Sequence, residues 1–222
     1  LVLNLGTLDE KTIPAMAAAG RKAAAMGHPI ILDPVGVTAS RFRRQAAIDI
    51  IRQAPPSVIR GNEAEIRALN LELSGHEAGN TCGVDSENQG TVRSRMEIAC
   101  SLRDLTGAIV VMTGKEDVAA GTEKEYIVRN GHPWMTRITG SGCMLDGLVG
   151  AFCGLHGEQG QAGLLEESVV MALCAHGLCG ELAAGETMEQ GGGTGMFRMH
   201  LMDKMSLLDD ETLERGKKIE IR

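Results

Sequence analysis

The segment Thr139-Gly-Ser-Gly-Cys143 combines groups that can act on a phosphate. Two glycines and a serine directly before an apolar, helix-forming run offer successive backbone N–H groups and the positive end of a helix dipole. Such an arrangement is an anion site. Its residues, the predicted anion hole, are Gly140, Ser141, Gly142 and Cys143. No Gly-Lys-Ser/Thr follows and residue 145 is leucine, so the segment is neither a Walker A loop nor a G-x-G-x-x-G motif.

A cysteine at the start of this predicted helix is a candidate catalytic residue. As a thiolate, Cys143 could accept a proton from a substrate hydroxyl, and as a neutral thiol it could only orient that hydroxyl. Both roles stay open, and either contributes about 10²- to 10⁴-fold in rate. The other cysteines have neither C-x-x-C spacing nor a compact disulfide pattern. We expect inert buried thiols at Cys100, Cys153, Cys174 and Cys179.

Oxygen-bearing side chains follow two of the apolar runs. Asp33 comes directly after one run, and Asn62 and Glu65 come after the next. Together they offer the ligands that a hydrated Mg²⁺ prefers. Asp33 could equally cap a turn, and the Asn62/Glu65 spacing resembles a helix capping box. No histidine or cysteine cluster has zinc spacing, so the sequence argues against a zinc site.

These residues must be positioned by an α/β fold. Short apolar runs, typical of strands covered on both faces, alternate with longer helical patterns. The predicted strands are Leu1–Asn4, Pro29–Leu32, Ser57–Ile59 and Ala108–Met112, and the predicted helices are 8–26, 40–52, 62–70 and 91–106. This order predicts a mostly parallel sheet with right-handed crossovers, and a site beyond the carboxyl ends of its strands.

The second half of the chain is predicted to be mainly helical. Asn130-Gly131 is a hairpin turn signal between two extended segments, the second of which leads into Thr139. Helices are then expected to about residue 155 and from about 163 to 185. The glycines of Gly191–Gly195 predict a turn before a short terminal helix, and Leu71–Gly90 a loop or broken helix. We expect residues 1–222 to form one domain.

Composition narrows the function classes. Among 222 residues, 22 Lys+Arg against 29 Asp+Glu give a net charge of -7, which argues against a nucleic-acid binder. An aromatic content of 2% also disfavours base stacking. No apolar run reaches the roughly 18 residues of a membrane helix and no signal segment opens the chain. We expect a cytoplasmic protein without membrane partners. Because the chain opens directly on a strand, we expect an N-terminal portion to be missing.

Five motifs occur in an order that resembles the hydroxyethylthiazole kinase family of the ribokinase-like superfamily. They are Asp33–Gly36, Val58–Ile66, Gly83–Ser86, Thr113-Gly114 and Thr139–Cys143, and the match runs from residue 1 to about 200. The resemblance implies a ribokinase-like α/β fold with helices on both faces of a mostly parallel central sheet. It further implies phosphorylation of the hydroxyl of 4-methyl-5-(2-hydroxyethyl)thiazole by ATP with Mg²⁺ in thiamine biosynthesis or salvage, and a homotrimer.

Carried onto matching positions, the resemblance implies that Arg60 and Thr113 contact ATP phosphates and that Gly140 lines the thiazole site. It assigns Asp33, Asn62 and Glu65 to the metal, and Cys143 to the place where most ribokinase-like enzymes carry an aspartate base. Alternative readings are a hydroxymethylpyrimidine kinase, an ATP-dependent nicotinamide-nucleotide-hydrate dehydratase, or an inactive truncated relative. Asp146 departs from the family's apolar or small polar residues, and we interpret it as a variant tolerated near a helix N-terminus.

Overall fold

A seven-stranded mixed sheet forms the centre of the protein. The structure, a computed structural model, describes residues 1–75, 90–155 and 162–222. The strands are Val2–Asn4 (β1), Ile31–Asp33 (β2), Val58–Asn62 (β3), Ile109–Thr113 (β4), Asp117–Ala120 (β5), Glu125–Val128 (β6) and Ile219–Ile221 (β7). The helices are Thr12–Ala25 (α1), Arg41–Gln53 (α2), Glu63–Ser74 (α3), Val92–Thr106 (α4), Ser141–Gly154 (α5), Ala162–Glu189 (α6), Thr194–Leu207 (α7) and Asp210–Gly216 (α8). A 3-10 helix spans Pro133–Arg137.

The strand order in the sheet is the order along the chain. Strands β1 to β4 are parallel, and β5, β6 and β7 continue the sheet in antiparallel pairs. Each parallel strand lies next to its predecessor, so right-handed crossovers place the intervening helices α1 to α4 on the same face. Buried residues of β4 alternate accordingly: Val110 and Met112 pack on this face, and Ile109 and Val111 on the other.

The other face of the sheet is covered by α5, α6 and α8. Leu145 and Val149 of α5 and Val169 and Leu173 of α6 pack there against Ile31, Val58 and Val128. The stretch Gly163–Glu189 within α6 is long and apolar enough to cross a membrane by length and composition, with a mean hydropathy of 1.4. However, 78% of its most apolar window is buried inside the protein, which is typical of a core helix.

The predicted fold class is confirmed, with all four predicted strands present and the parallel part of the sheet extended by antiparallel strands. The second half contains more strand than predicted, because β5 and β7 join β6 at the edge. The glycine turn is followed by two helices where one short helix was predicted: α7 has 14 residues, and the terminal helix α8 has seven. Helix α3 runs to Ser74, whereas the motif Gly83–Ser86 and most of the predicted loop 71–90 lie outside the described residues.

The predicted hairpin at Asn130-Gly131 is wrong. Asn130 is buried, its amide donates to Gly216 O at 2.9 Å, and its Oδ1 accepts from Lys218 N at 2.8 Å. It therefore joins the end of β6 to the segment that enters β7. The segment leading to Thr139 contains the 3-10 helix and no strand, whereas the hairpin between β5 and β6 turns at residues 121–124.

Two mid-helix glycines should respond oppositely to alanine. A Cβ on Gly20 of α1 would lie 2.5 Å from Ala54 Cβ, whereas a Cβ on Gly185 of α6 would meet nothing within 4 Å. Alanine normally stabilises a helix interior by up to about 1 kcal/mol relative to glycine, and we expect this gain for Gly185→Ala. Gly20→Ala should instead destabilise by about 1–3 kcal/mol, because overpacking separates α1 from Ala54. Urea unfolding of both variants measures the difference, and equal stabilisation would contradict this packing.

Candidate active site

The four parallel strands all end on residues with polar side chains at one edge of the sheet. Strands β1 to β4 end at Asn4, Asp33, Asn62 and Thr113. In register, Asn4 lies beside Asp33, and Asn62 lies beside Thr113. The carboxyl edge of an open parallel sheet is the usual place for a ligand site, and the sheet gathers the predicted residues there.

The carboxyl group of Asp33 is buried, and only one of its two oxygens has hydrogen-bond partners among the described residues. Its Oδ2 accepts from Asn4 Nδ2 at 2.8 Å and from Arg60 Nη2 at 3.2 Å. Its Oδ1 is buried and accepts no hydrogen bond from any residue in the described part of the chain. Burial raises the pKa of Asp33 to about 8; the Arg60 guanidinium opposes this increase, whereas the nearby Asp146 and Glu65 carboxylates add to it.

Arg60 on β3 connects the sheet to the first two turns of α5. Its Nε donates to Asp146 Oδ1 at 2.8 Å, and its Nη2 donates to Gly142 O at 2.5 Å and contacts Asp33. Arg60 and Asp146 are both buried, with exposed fractions of 6% and 2%. A buried charge is tolerated when it is paired and hydrogen-bonded. The guanidinium predicted to contact ATP phosphates is thus held between two carboxylates.

The predicted anion hole lies at the N-terminus of α5. Gly140 precedes the helix with φ 95°, a left-handed conformation that favours glycine, and no side chain caps the helix there. The backbone N–H groups of Ser141, Gly142 and Cys143, here called the amide cradle, precede the first intrahelical hydrogen bond, from Met144 N to Gly140 O. Cys143 is exposed, and its Sγ lies 3.7 Å from Asn4 Nδ2.

Asn62 and Glu65 form a helix capping box, which is one of the two roles that the sequence allows for them. Asn62 Oδ1 accepts from Glu65 N at 3.0 Å, and Glu65 Oε2 accepts from Asn62 N at 2.9 Å. Glu65 Oε1 also accepts from Gly36 N at 3.1 Å, so this carboxylate orders the loop after β2. The structure therefore gives Asn62 and Glu65 a structural role at the edge of the site.

Thr113 is the last residue of β4, the strand that pairs with β3, which carries Arg60. Its hydroxyl donates to Gly61 O at 3.3 Å, and the following Gly114 N donates to Asp117 Oδ1 at 2.9 Å. Burial raises the pKa of Asp117 to about 6, although this hydrogen bond and the Arg95 guanidinium oppose the increase. These bonds fix the turn between β4 and β5.

The carboxylates and the thiol form one group. Ligand atoms of Asp33, Cys143 and Asp146 all lie within 4.8 Å of one another. Asp33 thus lies with Cys143 and Asp146, whereas the Glu65 carboxylate faces the capping box and Gly36. The unpartnered Asp33 Oδ1 is an oxygen of the kind that Mg²⁺ prefers, so the predicted ligand set fits the ion through Asp33.

Sequence reasoning missed Asn4 and misjudged Asp146. Asn4 Nδ2 contacts Asp33, Cys143 and Asp146, and its position at a strand end was a usable signal. Asp146 is a central partner of Arg60, not merely a variant tolerated near a helix N-terminus. Its spacing of three residues from Cys143 places both on one side of α5.

His176 lies on α6, on the side of the sheet that carries α5. It is buried, and its Nε2 has no hydrogen-bond partner in the described ranges. Burial lowers the pKa of His176 to about 4, the Arg60 charge acts in the same direction, and Asp146 opposes it. The ring is therefore neutral at neutral pH.

The remaining cysteines agree with the sequence analysis in most respects. Cys153, Cys174 and Cys179 are buried, Cys100 is half-buried, and all are free thiols. Burial raises the pKa of Cys153, Cys174 and Cys179 to between about 11 and 12. Among the cysteines that the structure describes, Cys143 is the exposed one.

An amide cradle beside buried acidic side chains, at the carboxyl edge of an α/β sheet, agrees with the ribokinase-like class of kinase that the motif resemblance implies. In overall structure the chain is similar to the hydroxyethylthiazole kinase of Pyrococcus horikoshii OT3, with a TM-score of 0.82 and 27% identity over all of this chain and 76% of that one.

The sequence comparisons define the family. A profile of the hydroxyethylthiazole kinase family matches residues 1–211. The hydroxyethylthiazole kinase of Clostridium acetobutylicum is 36% identical, over 99% of this chain and 78% of the relative. That of Alkaliphilus oremlandii is 38% identical, over 100% and 77%. The chain belongs to the hydroxyethylthiazole kinase family and is a phosphotransferase.

Stability at acidic pH should depend on His176. Because its folded pKa of about 4 is below the ordinary value of 6.5, the unfolded chain binds more protons between these values. The free energy of unfolding therefore falls as the pH is lowered from about 6.5 to about 4. His176→Leu should remove on the order of 2 kcal/mol of this decrease between about pH 7 and pH 5. Urea unfolding of both proteins at each pH measures it, and an unchanged decrease in the variant would refute the role of His176.

Proposed function

We propose that the protein transfers the γ-phosphoryl group of ATP to the hydroxyl of 4-methyl-5-(2-hydroxyethyl)thiazole, a step of thiamine biosynthesis or salvage. The observation that carries the proposal is the amide cradle beside an exposed thiol and a carboxylate group. Phosphoryl transfer needs mainly positioning and charge neutralisation, which preorganised amides supply. Relatives covering the full chain are named for this kinase activity.

The residues act as follows in this proposal. The backbone amides of Ser141, Gly142 and Cys143 stabilise charge on the transferred phosphoryl group. With Gly140, these residues form the predicted anion hole. Arg60 and Thr113 contact the ATP phosphates, and Gly140 lines the thiazole site. The Cys143 thiol is exposed at the end of the amide cradle, where a substrate hydroxyl can reach it.

Mg²⁺ completes the proposed site. Asp33 would hold the ion through its unpartnered Oδ1, and Asn62 at the end of β3 and Glu65 at the start of α3 would contact water molecules bound to the ion. When bound, Mg²⁺ neutralises charge on the ATP phosphates. Because the Asp33 carboxyl has a raised pKa, binding the ion would also displace its proton.

The proposal extends to the setting of the enzyme. Residues 1–222 form a single ribokinase-like kinase domain. The enzyme is cytoplasmic and assembles as a homotrimer, as the family resemblance implies. Its partners are small molecules, namely the thiazole and ATP.

ADP release should depend on the thiazole. In a coupled assay, ADP should appear with hydroxyethylthiazole and Mg²⁺, and should fall to background with excess EDTA or without the thiazole. Hydroxymethylpyrimidine and ribose serve as matched acceptors from the other kinase classes. The assay is run on the 222-residue chain and on a chain extended before Leu1 by the corresponding segment of the Clostridium acetobutylicum relative. If neither chain releases ADP in response to the thiazole, the proposed function is refuted.

Cys143→Ala should separate chemistry from nucleotide binding. Losing the thiol should lower kcat by about 10²- to 10⁴-fold, as expected for a residue that accepts or orients a proton. The Kd for ATP should stay nearly constant, because the backbone amide of residue 143 remains. Cys100→Ala is the matched control. Cys100 lies on α4, away from the amide cradle, and its thiol donates a hydrogen bond to Glu125. Equal kcat values for the wild type and Cys143→Ala would return Cys143 to a packing role.

A further inference from the structure

Asp146 is the acidic residue that the proposed function leaves without a role. It lies one turn after Cys143 on α5, with 2% of its surface exposed. Its Oδ1 accepts from Arg60 Nε at 2.8 Å and lies 2.7 Å from Arg60 Nη2. Its Oδ2 accepts from Asn4 Nδ2 at 3.3 Å. Both oxygens are therefore engaged, in contrast to Asp33, which keeps one oxygen free.

These contacts fix the direction of the Arg60 guanidinium. Its Nε–Nη2 edge is taken by Asp146, and Nη2 also reaches Gly142 O and Asp33. The remaining nitrogen, Nη1, donates no hydrogen bond to any residue that the structure describes. Both Nη atoms lie within 3.2 Å of the position that a Cβ would take on Gly142. The free end of the guanidinium therefore lies beside the amide cradle.

The contact geometry shows what Asp146 contributes beyond Asp33. Asp33 contacts the guanidinium at one nitrogen, Nη2, at 3.2 Å. Asp146 contacts the guanidinium at two nitrogens of one edge, and this geometry restricts rotation of a planar fork. Without Asp146, the guanidinium would keep Gly142 O and Asp33 but lose the restraint on its Nε–Nη2 edge.

We propose that Asp146 is a positioning residue of the phosphoryl-transfer site, which holds the Arg60 guanidinium with one Nη directed to an ATP phosphate at the amide cradle. The inference rests on the proposed contact of Arg60 with ATP. It does not depend on which alcohol accepts the phosphoryl group. Asp146 acts through Arg60, and touches neither ATP nor the acceptor.

A double-mutant cycle on ATP binding tests this role. The Kd for ATP with Mg²⁺, in the absence of acceptor, is measured by calorimetry for wild type, Asp146→Asn, Arg60→Gln and the double variant. Asp146→Asn should weaken binding by about tenfold or more, because misplacing a positioned group is costly. In the Arg60→Gln background, the same change should add about twofold or less, since no guanidinium remains to be positioned.

Glu166→Gln is the matched control for loss of a buried carboxylate. Glu166 on α6 has the same exposed fraction as Asp146, 2%, but accepts from Thr122, Glu123 and Tyr126 at the β5–β6 hairpin. Glu166→Gln should lower the melting temperature of the protein without changing the Kd for ATP. If it weakens ATP binding as much as Asp146→Asn does, Asp146 acts through general stability and the inference is overturned.

The remaining outcomes separate this inference from the proposed function. If Asp146→Asn weakens ATP binding by the same factor in the wild-type and Arg60→Gln backgrounds, the positioning role is overturned. It is also overturned if the wild type binds no ATP. A wild type that binds ATP with the expected coupling, yet releases no ADP with the thiazole, refutes the proposed function and leaves the role of Asp146 intact.

Discussion

The buried ion pair between Arg60 and Asp146 is the interaction on which the arrangement of the site depends. It joins the third strand of the sheet to the second turn of α5, through two residues 86 positions apart in the chain. An isolated charge in this position would be costly, so the guanidinium, both carboxylates and Gly142 O must be in place together. The position of the amide cradle over the strand ends is therefore coupled to a polar network, and apolar packing of α5 alone would not orient it.

The parallel half of the sheet could be predicted from the sequence because its strands are continuous apolar runs followed by polar residues. Asp33, Asn62 and Thr113 fall at strand ends for this reason, and the position of Gly140 before α5 follows from its place before an apolar helical run. Their gathering at one edge follows from parallel topology alone. The capping role of Asn62 and Glu65 was equally visible, since it needs only a local spacing.

The remaining features depend on contacts between distant segments, which a pattern along the chain does not contain. Asn130-Gly131 has the composition of a hairpin turn, but Asn130 forms hydrogen bonds with Gly216 and Lys218. These residues are far away in the chain, so the local sequence does not predict the contacts. Asp146 is favourable near any helix N-terminus, so only the approach of Arg60 shows why it is buried. Strand β7 has three residues, and its neighbour is known only once the sheet is formed.

The strand order of the sheet has a consequence for how the protein is made. From β1 to β6, each strand pairs with the one synthesised just before it, so the sheet can grow in step with the ribosome. Strand β7 also pairs with its predecessor, but only after a long stretch of chain: Arg129 and Glu220, which join it to the end of β6, are 91 residues apart. Until β7 has been synthesised, the free edge of β6 stays unpaired, and unpaired edges are sites of aggregation. Pairing with β7 thus covers the edge of β6, and it does so after every residue of the proposed site has been synthesised.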